Sequence, residues 1–142
     1  MSDGIPILKV DDILIVSIQQ SPTDRMVGEL QINLMDRIVR TRAIGVIVDV
    51  TAIDLVDSYF ARSLNETALA ASLVGAEMVV VGIRPTVAIP LVKMGLSFQH
   101  ATTALDLEEG LALLRSGGQR RRGDRRDMSH LRRFRAAARG RT

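Results

Sequence analysis

The sequence predicts an α/β layer fold in a single domain, on three observations. Short apolar runs rich in β-branched residues recur at 13–18, 45–50 and 77–81. Between them lie stretches whose apolar residues return at helical spacing, and strands alternating with helices in this way require parallel crossovers. At 142 residues and 46% hydrophobic, the chain can bury one sizeable core and has little left for a second.

Taken in order, residues 5–10 read as a first strand that pairs with 13–18 through a turn at Asp11-Asp12. Ser21-Pro22-Thr23-Asp24 reads as a helix start, with Ser21 as N-cap, Pro22 at the first helical position and Asp24 as the acid of a capping box. Val27, Leu30, Leu34 and Ile38 then form one apolar face of a helix running to Arg40. A strand at 45–50 leads through an acidic turn into a second helix over 58–73, whose alanines at 61, 68, 70 and 71 make a narrow face suited to close packing. Gly75 ends that helix ahead of the strand at 77–81. Arg84-Pro85 opens a third helix and Gly95 closes it, while Pro90 inside removes one backbone hydrogen bond. A short strand over 97–101 and a fourth helix over 106–115 complete the domain, which is assigned to residues 1–115.

Past Ser116-Gly117-Gly118 the apolar periodicity collapses, and 116–142 is assigned to a disordered, Arg-rich tail with a nascent helix from His130 to Arg139. That tail holds ten arginines against Asp124 and Asp127, a net of +8, whereas the rest of the chain has 9 basic and 14 acidic residues, a net of −5. A mildly acidic domain therefore carries a basic appendage. The tail has the charge to bind nucleic acid through counterion release, but Phe134 is the one aromatic residue among its arginines, so any such contact is expected to be nonspecific.

With no cysteine the chain has neither disulfides nor thiolate metal sites, and Met1-Ser2-Asp3-Gly4 lacks the basic and apolar regions of a signal peptide. Its longest apolar runs fall well short of the roughly 20 residues that span a bilayer. A soluble, cytoplasmic protein is expected, with no membrane partner.

The most informative run is Ile47-Val48-Asp49-Val50-Thr51-Ala52-Ile53-Asp54-Leu55-Val56-Asp57-Ser58-Tyr59, which sets a serine at a helix start among carboxylates. Nucleophilic catalysis at Ser58 would need a base, yet the histidines are His100 and His130, and the glycines of a nucleophile elbow are replaced by Val56 and Phe60. Neither a P-loop nor a dinucleotide glycine fingerprint follows any strand, so no cofactor is expected. Asp49, Asp54 and Asp57 offer hard oxygen ligands for Mg²⁺, as in a phospho-accepting receiver pocket. Against this, Asp11-Asp12 precede their strand and no lysine is placed at a late strand end. Two readings of Ser58 stay open on the residues alone: a helix cap shared with Asp57, or a regulated hydroxyl.

The run from Asp49 to Ser58, followed by Leu73-Val74-Gly75-Ala76, Val80-Val81-Gly82-Ile83-Arg84-Pro85 and Met94-Gly95-Leu96, resembles the STAS family of anti-sigma-factor antagonists, in particular its RsbS-like stressosome branch. The resemblance covers residues 5–115 and implies a mixed sheet of mostly parallel strands packed against about four α-helices. It implies a non-enzymatic scaffold in which Ser58 is the phospho-acceptor of an RsbT-type serine kinase, held before phosphorylation and released after it to act on a sigma-factor or second-messenger pathway. Asp54, Asp57, Tyr59 and Arg62 are the expected neighbours on the kinase-binding surface. Homodimers, co-assembly with RsbR-type STAS proteins and a large stressosome shell are implied as well. Where some relatives carry a second phosphorylatable threonine in the third helix, this chain has Pro90.

Overall fold

The β-branched runs pair into one five-stranded sheet whose spatial order is the chain order, β1-β2-β3-β4-β5. A computed structural model describes residues 4–126. Its elements are β1 (Ile7–Val10), β2 (Ile13–Ser17), α1 (Asp24–Thr41), β3 (Gly45–Asp49), α2 (Ser58–Leu73), β4 (Glu77–Val81), α3 (Pro85–Lys93), β5 (Thr102–Ala104) and α4 (Leu107–Arg126). β1 runs antiparallel to β2, joined by the expected tight turn in which Asp11 has a positive φ of 54°. Short acidic side chains tolerate that conformation better than most. Every other pairing is parallel. The predicted mixed, mostly parallel sheet with four helices is the observed one.

Alternation along the central strands sorts the core into two layers. Leu14, Val16, Val46, Val48, Met78 and Val80 face the helices α1, α2 and α3, which contribute Leu34, Ile38, Phe60, Leu64, Val87 and Leu91. The opposite side chains, Ile13, Ile47, Val79 and Val81, face α4 and meet Leu114. Burying one such side chain is worth about 1.5–3 kcal/mol, so strands covered on both faces are the most stable part of the sheet. α4 lies close to them because Gly110 is directly over β4, where a Cβ would come within 2.9 Å of Val81 Cγ1.

Three local expectations are corrected. The N-cap of α1 is Thr23, whose hydroxyl accepts from Met26 N at 3.2 Å. Ser21 instead donates to Leu55 O at 3.3 Å, and Pro22 lies outside the helix. The last strand is Thr102–Ala104, not 97–101. Asn65 takes the backbone of that earlier segment, donating to Ser97 O at 2.7 Å and accepting from Gln99 N at 3.1 Å, so these groups are spent on a side chain rather than on a ladder. Finally, α4 does not stop at Arg115 but runs to Arg126. A glycine ends a helix by taking a left-handed conformation. Among the described residues Gly75 and Gly95 do so just past α2 and α3, and Gly117 does not have a positive φ. The remainder of the predicted tail, from residue 127, lies outside the described residues. No helix among the described residues is long and apolar enough to cross a membrane.

Candidate functional site

At the carboxyl end of β3 the chain leaves the sheet through residues 50–57 before α2 begins. Val50 N still donates to Val81 O at 3.0 Å, so the loop starts from a fixed point. Asp49 accepts from Thr51 N at 2.9 Å and from the Thr51 hydroxyl at 2.6 Å, an Asx-type turn that bends the chain out of the strand. Ile53 and Val56, 1% and 6% exposed, plug into the core on either side of Asp54 and Leu55. With both anchors sunk, the residues between them are forced outward.

The neighbouring β4–α3 corner fastens the loop from the side. Arg84 Nε donates to Thr51 O at 2.8 Å, and its guanidinium pairs with Asp54 Oδ1 at 3.0 Å. Gly82, with φ of 81°, passes so close that a Cβ there would overlap the Thr51 hydroxyl. Only glycine accommodates both the backbone conformation and the approach.

Asp57 has extended backbone and accepts from Phe60 N at 2.7 Å, which makes it the N-cap of α2. Ser58 is therefore the first helical residue and is partly buried. Among the described residues, no hydrogen bond engages its hydroxyl. Tyr59 follows at 46% exposure, and Leu55 precedes it at 66%. Arg62 is one turn further along α2 and lines a groove of about 350 Å³ with Asn65, Glu66 and His100. Ser58 is not part of that groove. The structure thus brings Asp54, Asp57, Ser58 and Tyr59 to one rim of the sheet, with Arg62 behind them on the helix.

Asp49, Asp54 and Asp57 are each engaged separately, with Thr51, Arg84 and the α2 amides. Among the described residues, no group of three His, Cys, Asp or Glu is placed to hold a metal ion. The arrangement offers a partly exposed serine hydroxyl at a helix N-terminus, where the free amides and the helix dipole favour an anion. Arg84 and Thr51 are the site residues that the sequence analysis missed. An arginine between a strand end and the proline that opens a helix was the available signal, since its side chain can reach back across the strand ends.

A sheet in chain order with one antiparallel edge, a helix-start serine after β3 and helices on both faces define the class, and a family model confirms it: the chain belongs to the STAS-domain family, with residues 5–110 matched. Within that family it is RsbS-like. It is similar to Moorella thermoacetica RsbS S58E, with 36% identity and a TM-score of 0.71 over 81% of this chain and 97% of that one. It is also similar to a chain of the solved stressosome, described as a signal integration and transduction hub, with 37% identity and a TM-score of 0.66 over 80% of this chain and 98% of that one. Among curated proteins it matches the RsbT co-antagonist protein RsbRA of Bacillus subtilis (strain 168), 32% identical over 79 residues, 56% of this chain. That match spans 29% of the relative's length.

Proposed function

We propose that this protein is a non-enzymatic, cytoplasmic partner-switching scaffold whose switch is phosphorylation of Ser58. The unmodified protein holds an RsbT-type serine kinase, and phosphorylation releases it to a downstream sigma-factor or second-messenger pathway. The kinase supplies the ATP and Mg²⁺ chemistry. The observation that carries this reading is the Ser58 hydroxyl, partly exposed and without a hydrogen bond among the described residues, at the first position of α2 between the exposed Leu55 and Tyr59.

The physics of the site favours a switch that alters surface rather than fold. A phosphoryl group adds about −1.5 to −2 charge at pH 7. The first amides of α2 offset part of it, while Asp57 and Asp54 repel it. Since Ile53 and Val56 anchor the loop in the core, the modified surface changes in charge and size on an intact frame. Similarity to RsbS and to the stressosome supports assembly with RsbR-type STAS proteins into a large shell, with homodimers as its unit.

The test is intact-mass spectrometry after incubation with ATP, Mg²⁺ and the cognate kinase. One added phosphate is expected on the wild type and none on Ser58→Ala. Ser58→Asp should weaken kinase retention about tenfold or more with an unchanged circular dichroism spectrum, tenfold being about 1.4 kcal/mol. An active kinase that leaves the wild type unmodified, or binds Ser58→Asp equally well, would return Ser58 to a helix-start residue without a switching role.

A further inference from the structure

Beyond the carboxyl ends of β4 and β5 lies an apolar groove that the Ser58 surface does not use. It measures about 410 Å³ and is lined by Ile83, Leu91, Val92, Leu96, Phe98 and Leu105, among others. Val92 and Leu105 are 74% and 81% exposed and lie in one continuous apolar lining rather than scattered singly, the arrangement that marks a surface something else covers. Its ionisable lining residue is Glu109, with Asp106 and Glu108 beside it at the start of α4; of the adjoining cations Arg84 is paired with Asp54, and Lys93 follows Val92 at the end of α3. Among the described residues, no lysine or arginine lines it. The groove therefore fits a segment with apolar side chains set among cations.

Such a segment exists in this chain. Leu131-Arg132-Arg133-Phe134-Arg135 spaces two large apolar residues three apart and interleaves three arginines, and it lies outside both the described residues and the part matched to the family. We propose that this segment of one copy docks in the α3–β5–α4 groove of a second copy. The apolar pair would fill the groove, and the arginines would meet Asp106, Glu108 and Glu109.

Reach decides between a second copy and the same one. Glu109 and Arg126 are 17 residues apart on α4, about 26 Å at about 1.5 Å per residue. From Arg126, Leu131 is five residues on, about 17 Å fully extended, and Phe134 eight residues on, about 27 Å at about 3.4 Å per residue. Folding back onto its own groove would leave Leu131 short, and Phe134 would arrive only on a straight path with nothing left to reverse direction. A neighbouring copy carries no such constraint. In a multimer the effective concentration of tails around each groove is high, so weak single contacts add up. This contact does not depend on Ser58 or its phosphorylation.

The experiment places a photo-crosslinking phenylalanine analogue at position 134 of the full chain and irradiates an equal mixture of heavy-isotope-labelled and unlabelled protein. Mass spectrometry should find crosslinks joining labelled to unlabelled copies within residues 83–109. Val92→Glu with Leu105→Glu should lower their yield about tenfold, a loss equal to about 1.4 kcal/mol of binding. Val92→Ser, at a position 74% exposed, provides a variant that keeps the fold and should lower the yield in the same direction. The proposal is overturned by crosslinks confined to one copy, by crosslinks to another surface, by a yield indifferent to both variants, or by none at all. Crosslinks chiefly to co-purifying nucleic acid that nuclease removes would overturn it in favour of a phosphate-binding tail.

Discussion

The loop after β3 and the groove beyond β4 and β5 border the same end of the sheet, yet they are built from different chemistry. Residues 50–57 are held by two buried anchors, an Asx turn, an N-cap and the Arg84 contacts. The groove is apolar, and its exposed members Val92 and Leu105 make no such fastening. A surface whose backbone is fixed can change its charge without changing its shape, which suits a covalent switch. A surface that leaves apolar side chains in water gains free energy only when something covers it. The two regions are thus suited to two kinds of event, modification and docking.

Breaking the first region should proceed in graded steps. Ile53→Ala removes an anchor that is 1% exposed and should cost about 3 kcal/mol in urea unfolding, within the range for buried large-to-small changes. A cost under about 1 kcal/mol would mean that the loop is not held by its core contacts. Gly82→Ala is expected to cost about 2 kcal/mol, because it combines a positive φ with an overlap that displaces Thr51 from Asp49. Nuclear magnetic resonance should then show shifts at Thr51 and through the loop to Ser58; shifts confined to β4 would contradict the coupling.

Smaller effects sharpen the comparison. Asp57→Ala deletes the α2 cap and should cost about 1 kcal/mol, with the asparagine variant restoring most of it. The Arg84–Asp54 pair is largely exposed, so a double-mutant cycle should return only about 0.2–1 kcal/mol and decline with added salt. Arg84→Lys should lose more than that, since it also forfeits the Nε contact to Thr51 O.

Much of the frame was legible because periodicity and backbone chemistry are local. The β-branched runs pointed to β2, β3 and β4, the Val27, Leu30, Leu34 and Ile38 stripe is the buried face of α1, and Arg84-Pro85 does open α3. The errors came where a distant partner overrode a local signal. Ser21 looked like a cap, but Leu55, distant in sequence, takes its hydroxyl. Residues 97–101 looked like a strand, but Asn65 on α2 takes their backbone groups. At Gly117-Gly118 the residue types matched a helix stop, and the conformation that makes a glycine stop a helix did not occur at Gly117.

By itself the sequence determined the order of the elements, the faces they bury and the position of Ser58 at the start of a helix, because spacing, propensity and turn chemistry act over a few residues. Only the tertiary structure decided that Arg84 and Gly82 clasp the Ser58 loop, that Asp49, Asp54 and Asp57 go to separate partners, and that the ends of β4 and β5 leave an open apolar groove. The Arg84 and Gly82 contacts join residues some 30 apart across parallel strands, and no local pattern encodes where a crossover will set one strand end beside the next.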